Sequence, residues 1–203
     1  AVGQVLLDPR RGTARWVIAR TMFHLDRPIM LDDCVSVHTA VRMPFSTMFY
    51  RDYELYGPGG TLLGTACSIW MLVGKESGKP VSLGIAEGIN YSKLVGSLKT
   101  TKINRFRFPA KTAAAKPYLV QNSDLDINDH MTNSRYADIC FDTLSPSVLS
   151  RGYVSDLQLN YQKECIRGDD LALTVAQEGG WHYVRGMLGD RLHFDARMKL
   201  TAV

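Results

Sequence analysis

Only one stretch in the second half of the chain has a helical period, and everything around it alternates like strand. From Pro117 the order is a short strand candidate at Tyr118 to Val120, then a polar cluster, then apolar residues at Tyr136, Ile139, Cys140, Phe141 and Leu144. That spacing predicts a helix running to about Leu149, with Thr132 or Asn133 as its N-cap. Four alternating runs follow: Tyr153 to Cys165, Asp170 to Ala176, Trp181 to Leu188 and Leu192 to Ala202. Gly179-Gly180 and Gly189-Asp190 punctuate the last hairpins. A single helix ahead of an antiparallel meander must bury its apolar stripe in the sheet that follows.

The first half repeats the strand character without the helix. Trp16 to Leu25, Val35 to Met43, Phe45 to Tyr56 and Leu62 to Val73 all read as strands, with Gly57-Pro58-Gly59-Gly60 as a tight connection. Almost nothing precedes Trp16 that could cover such a sheet. Val81 to Lys116 is too long for an ordinary loop and reads as a connector, with room for a helix over Ile85 to Leu98. The organisation is therefore α+β, with a first unit over 1–80, a linker over 81–116 and a second unit over 117–203.

The polar cluster is Ser123-Asp124-Leu125-Asp126-Ile127-Asn128-Asp129-His130-Met131-Thr132-Asn133. If it is extended, Asp126, Asn128 and His130 point the same way. A carboxylate, an amide and an imidazole would then converge before a helix N-terminus, where free N–H groups favour developing negative charge. That equipment suits acyl-group hydrolysis; the plain alternative is a set of turn and capping residues. Asp124 and Asp129 read as turn or solvent-facing carboxylates. His24, His38, His182 and His193 lie in strand candidates with no Asp or Cys partner at ligand spacing. Arg51 and Asp52 read as a structural pair.

Two sequence elements carry a family resemblance. Asp124-Leu125-Asp126-x-Asn128-x-His130-x-x-Asn133-x-x-Tyr136 and Tyr161-x-x-Glu164-Cys165-x-x-Gly168-Asp169 resemble the second-half elements of acyl-ACP thioesterases. Trp16 to Arg27 and Arg51 to Leu72 are similar to first-half elements of the same family. Thr132 departs from it, where many members have Asn. The resemblance implies two tandem hotdog domains, each an antiparallel sheet wrapped around a helix; the first would then need a strand and helix ahead of Trp16, which this sequence does not show, so that residues missing or disordered ahead of it are expected rather than a unit without that helix. It implies hydrolysis of fatty acyl-acyl carrier protein to free fatty acid and carrier thiol, with no cofactor and no metal. It places the catalytic residues among Asp126, Asn128, His130, Glu164 and Cys165. The rival readings are an acyl-CoA thioesterase of the same fold and a non-catalytic acyl-binding or regulatory protein.

Two mechanisms stay open. Cys165 could be a nucleophile activated by His130, with Asn128 orienting the imidazole. Alternatively, water attacks directly, with Glu164 or His130 as base and backbone N–H groups near Thr132 to Ser134 holding the oxyanion. On a regular strand Glu164 and Cys165 face opposite sides. Cys165 travels with Leu157, Leu159 and Tyr161, and Glu164 with polar neighbours, which favours the water route.

Charge and composition narrow the partners. The 203 residues are 45% hydrophobic with a net charge of +4, ordinary for a globular chain and no demand for nucleic acid. No apolar run is long enough to span a membrane. Cys34, Cys67, Cys140 and Cys165 are dispersed, as suits a reducing, cytosol-like compartment, either bacterial or plastid after loss of a transit peptide. Between Glu87 and Asp124 there is no acid, but seven bases occur. The plain reading is a solvated linker. By the resemblance, Lys99, Lys102, Arg105 and Arg107 would meet the acidic carrier protein bearing its acyl-phosphopantetheine. Edge-to-edge pairing of hotdog units leaves a homodimer open.

Overall fold

The computed structural model describes residues 14–81, 96, 98–99 and 102–202. The helix expected over 85–98 lies almost wholly outside these residues. Ten strands form one sheet, and its centre is the join between the two halves. The first half supplies β1 (Ala14–Leu25), β2 (Ser36–Val41), β3 (Met48–Tyr56) and β4 (Leu62–Gly74). The second supplies the short β5 (Ala113–Ala114) and β6 (Tyr118–Leu119), then β7 (Gly152–Tyr161), β8 (Asp170–Glu178), β9 (Trp181–Leu188) and β10 (Arg191–Ala202). Strand order is β2-β3-β4-β1-β7-β10-β9-β8-β5, with β6 also paired to β8. β1 and β7 run antiparallel, Thr21 opposite Leu159, so first-half residues border the second unit directly.

The helix is shorter than its apolar period suggests. α1 spans Asn133–Asp142 and buries Tyr136, Ile139 and Cys140, at i, i+3 and i+4, on one face. Thr143 ends it, its hydroxyl donating to the Cys140 carbonyl at 2.6 Å. Pro146, which cannot donate a backbone N–H, then starts a separate turn, α2 (Pro146–Leu149). The expected single helix to Leu149 is thus two. α1 sits on the sheet over Leu157, Leu159, Val184, Phe194, Ala196 and Met198, the core of the second unit. Sheet wrapped on helix is the hotdog arrangement. Among the described residues, no helix covers the first-half strands.

Strand alternation gives the other face of β7, β9 and β10 a polar character: Gln158, Asn160, Arg185, Asp195 and Arg197. The connector lies across it. The Asn104 carbonyl accepts from Gln158 Nε2 at 2.8 Å. Phe106 and Phe108 pack on Tyr183, and Arg185 stacks 4.1 Å over the Phe108 ring. Arg105 and Arg107 alternate outward and are exposed. Further back, the Lys99 N–H donates to Glu54 at 2.8 Å, so the connector touches both halves. That bond first, then the Tyr56 hydroxyl, holds the Glu54 carboxyl below its ordinary value.

The structure corrects one expected pairing and supplies one that the sequence does not announce. Buried Asp52 is gripped by Arg42, at 2.8 and 3.0 Å, and not by Arg51, which donates to Thr39. Adjacent strand residues face opposite ways, so Arg51 could not reach it. His24 does have an acid partner: its Nδ1 is 2.8 Å from Asp156, across the β1–β7 pairing.

Gly186 is a close-approach glycine. A Cβ there would lie 2.2 Å from Cε1 of Phe194, a ring with no exposure and no room to retreat. Gly186→Ala is expected to cost about 1–3 kcal/mol by overpacking, read as a lower urea midpoint with an unchanged slope.

Candidate active site

The polar cluster is a closed turn and not an extended strand. Asp124, expected at the surface, is 2% exposed and anchors it. Its carboxylate accepts the Gln121 N–H at 2.7 Å and pairs with Arg135 at 3.2 Å. Its carbonyl accepts the Thr132 N–H at 2.7 Å, tying the cluster to the start of α1. Between these points the chain folds back on itself. The Asp126 N–H donates to the His130 carbonyl at 2.8 Å, and Asp129 takes a left-handed φ of 59° to complete the turn.

Asp126 orders this turn from within. Its carboxylate accepts the Asn128 N–H at 2.7 Å, the Asn128 amide at 3.3 Å and the His130 N–H at 3.4 Å. Desolvation pushes the Asp126 carboxyl up, but these donors, Asn128 first, outweigh it and hold the group below its ordinary value. Asp126, Asn128 and His130 are therefore joined through the Asp126 carboxylate rather than by sharing a strand face. Asp126 and Asn128 are exposed, and the His130 side chain is 26% exposed.

The second motif meets the first because the chain leaves the sheet. β7 stops at Tyr161, and the N–H groups of Gln162 and Lys163 both donate to the His193 carbonyl, at 2.9 and 3.1 Å. Glu164 and Cys165 thus lie on a loop, and strand parity does not govern them. The Met131 N–H donates to the Cys165 carbonyl at 2.8 Å, and His130 bridges to Ile166. This seam sets His130 Nε2 3.3 Å from a Glu164 oxygen. The same carboxylate takes Arg15 Nη2 at 2.8 and 3.0 Å. Glu164 therefore sits between an imidazole and a guanidinium, 39% exposed and open to water.

Cys165 has the opposite environment. It has no exposure, and burial pushes its thiol up to about 11. The imidazole beside it is His193, with Nδ1 3.2 Å from Sγ, and not His130. The sequence reading left His193 without a partner because 28 residues separate the two. Burial holds His193 below its ordinary value, and its Nε2 has no hydrogen-bond partner. The donor atoms of Cys165, Asp169 and His193 lie within 4.8 Å of one another, the one set among the described residues with metal-ligand potential. The Asp169 carboxylate already accepts the Ile166 N–H at 3.0 Å.

The first amides of α1 follow directly on this turn. Thr132 donates to Asp124, whereas Asn133 and Ser134, as first-turn residues, have no intrahelical acceptor. The Asn133 carbonyl accepts the Tyr161 hydroxyl at 3.2 Å, which pins this end of the helix to β7. Arg15 is the residue that sequence reasoning missed. It stands 149 residues from Glu164, and no local pattern distinguishes it. Lys99, Lys102, Arg105 and Arg107 are exposed on the connector.

Comparison with known proteins gives a consistent picture. The model of the acyl-ACP thioesterase N-terminal domain matches residues 10–86, and that of the C-terminal domain matches residues 109–195. The chloroplastic acyl-[acyl-carrier-protein] hydrolase FATB2 of Cuphea viscosissima is 25% identical over 83% of this chain and 43% of its own length. A chloroplastic palmitoyl-acyl carrier protein thioesterase of Cuphea hookeriana is 24% identical, again over 83% of this chain and 42% of its own. The chain thus spans a little over four-tenths of these relatives. Among solved structures, the 12:0-ACP thioesterase of Umbellularia californica superposes with a TM-score of 0.82 at 19% identity, covering 97% of this chain and 79% of that one. An acyl-ACP thioesterase from Bacteroides thetaiotaomicron gives 0.74 at 21% identity, over 93% and 77%. The fold is shared along nearly the whole chain, and the two domain models cover both sides of the connector: the chain belongs to the acyl-ACP thioesterase family.

Proposed function

We propose that this chain hydrolyses the thioester of fatty acyl-acyl carrier protein, with water as the nucleophile and Glu164 as the base. The observation that supports this most is the setting of Glu164: paired with Arg15, solvent-accessible and 3.3 Å from His130. Glu164 takes a proton from water as the oxygen attacks the carbonyl carbon. The Asn133 and Ser134 N–H groups receive the oxyanion. Collapse breaks the C–S bond, and the proton returns from Glu164 to the leaving sulfur, with His130 3.3 Å from the carboxylate. Asp126 and Asn128 position His130 through the turn. Arg15 keeps the carboxylate aimed. Cys165, shielded and protonated, supports the loop from behind.

In this reading, 1–80 and 117–203 are two hotdog units joined by the 81–116 linker. The first unit shapes the acyl pocket, with Trp16 and Phe49 in edge contact at 4.6 Å as candidate lining. Lys99, Lys102, Arg105 and Arg107 draw in the acidic carrier. An acyl-CoA thioesterase is the second reading, because the exposed connector arginines suit a nucleotide phosphate as well as a protein carboxylate.

The test is thiol release from acyl-ACP and acyl-CoA of graded chain length, with wild type and Cys165→Ser. Faster release from acyl-ACP is expected. Cys165→Ser should stay within about threefold of wild type, whereas loss of a nucleophile would cost more than about 10³-fold. Binding of acyl groups with release from neither carrier would replace the enzyme reading with a binding protein.

A further inference from the structure

A cavity of about 320 Å³ opens at the join of β1 and β7, lined by Arg20, Arg105, Phe106, Asn160, Gln162 and Asp195. Its charge is unbalanced. Asp195, the one acid in the lining, is already committed: it accepts from Asn160 Nδ2 at 2.7 Å and faces Arg185 at 3.6 Å. Among the described residues, neither the Arg20 nor the Arg105 guanidinium has an acceptor. Two uncommitted guanidiniums on one cavity, with the Gln162 amide beside them, form an anion site. Planar donor forks match the several acceptor oxygens of a phosphate better than the two of a carboxylate.

The cavity lies close to the reacting centre. Asn160 and Gln162 line it, and Glu164 follows on the same chain. Four residues from Asn160 to Glu164 span at most about 14 Å. A pantetheine arm has about thirteen bonds between phosphorus and sulfur, and at three bonds per 3.3–3.6 Å it extends about 15 Å. An arm whose phosphate rests in the cavity can therefore bring its thioester to Glu164.

We propose that this cavity is a phosphate subsite, built by Arg20 and Arg105 with Gln162, that holds the phosphate ester of the carrier's pantetheine arm. The inference rests on the thioesterase reading for its ligand. It also assigns Arg105 a task different from general attraction of the carrier surface. Arg20 sits on first-half β1 and Arg105 on the connector, so the subsite needs both elements in place.

The test is calorimetry of the full chain with 4′-phosphopantetheine, pantetheine and inorganic phosphate, followed by thiol release from acyl-phosphopantetheine and acyl-pantetheine. The phosphorylated arm should bind at least about tenfold more tightly than pantetheine, and more tightly than inorganic phosphate, since each charge-assisted bond is worth a factor of that order. The double variant Arg20→Gln, Arg105→Gln should lose that preference. Arg105→Gln alone, on the exposed connector, should lose part of it without disturbing the sheet. Equal binding of the two arms, or a preference that survives the double variant, overturns the subsite. Inorganic phosphate binding as tightly as the arm would make it a site for free phosphate and overturn the pantetheine assignment. If the double variant weakens a carrier lacking its arm as much as one bearing it, the arginines meet protein carboxylates and the subsite fails. A preference in binding with no thioester cleaved would leave the subsite standing and sink the thioesterase reading. Cleavage of both thioesters with equal KM would do the reverse.

Discussion

Glu164→Gln is expected to lower kcat with acyl-ACP by about 10²- to 10⁴-fold, the usual contribution of a positioned base, and to move KM little. Gln has nearly the same shape and can still accept a hydrogen bond from Arg15 or His130, so the loop should keep its course. What it cannot do is take the proton from water. Stability should hardly change, because both sides of the Arg15–Glu164 pair are about two-fifths exposed and such pairs contribute about 0–1 kcal/mol. A kcat loss with an unmoved melting temperature therefore separates chemistry from folding. Thiol release in single-turnover mode, alongside a thermal melt, reads both. Turnover within threefold of wild type would remove Glu164 from the mechanism. His130 would then inherit the base role, since its Nε2 is 3.3 Å from the same carboxylate and its ring is partly exposed.

The legible parts of this site were those encoded locally. Alternation located the long strands, and Tyr136, Ile139 and Cys140 located α1. Glycines marked the turns because geometry demands them: Gly179 and Gly180 both take positive φ, at 58° and 79°, in the two-residue link between β8 and β9. The polar cluster was located, but its shape was not. Alternating Asp126, Asn128 and His130 looks like one strand face, yet an Asp followed two residues later by an available N–H can close a turn on itself, and here it does. Glu164 and Cys165 sit past the end of β7 because the His193 carbonyl captures the next two N–H groups, a contact that no local pattern announces. The strand parity used to separate Glu164 from Cys165 does not apply, because the strand stops at Tyr161. Arg15 shows the limit most clearly. Its ion pair depends on β1 lying next to β7, which is a fact of topology and not of spacing.

Asp124 has the local sequence of a surface turn residue but is buried, and its replacement should have the largest effect on folding of any change at the site. Asp124→Ala is expected to cost about 2–4 kcal/mol, measured by urea unfolding. The carboxylate is 2% exposed, and its loss takes the acceptor from both the Gln121 N–H and the Tyr118 hydroxyl. Arg135 loses its partner too, but at 37% exposure it can hydrate, and this contributes the smaller share. Asp124→Asn separates the two terms. Its amide oxygen can still accept a hydrogen bond, so it is chiefly the pairing with Arg135 that is weakened, at a cost of about 1 kcal/mol or less. Equal costs for the two variants would show that charge pairing, not the buried acceptor, is what Asp124 supplies. The consequence for activity follows from the connectivity. The Asp124 carbonyl holds the Thr132 N–H, so the segment that anchors α1 also sets where the Asn133 and Ser134 amides point. Asp124→Ala should therefore lower kcat as well as stability. Asp124→Asn should spare both, which ties the position of the oxyanion donors to one buried acceptor.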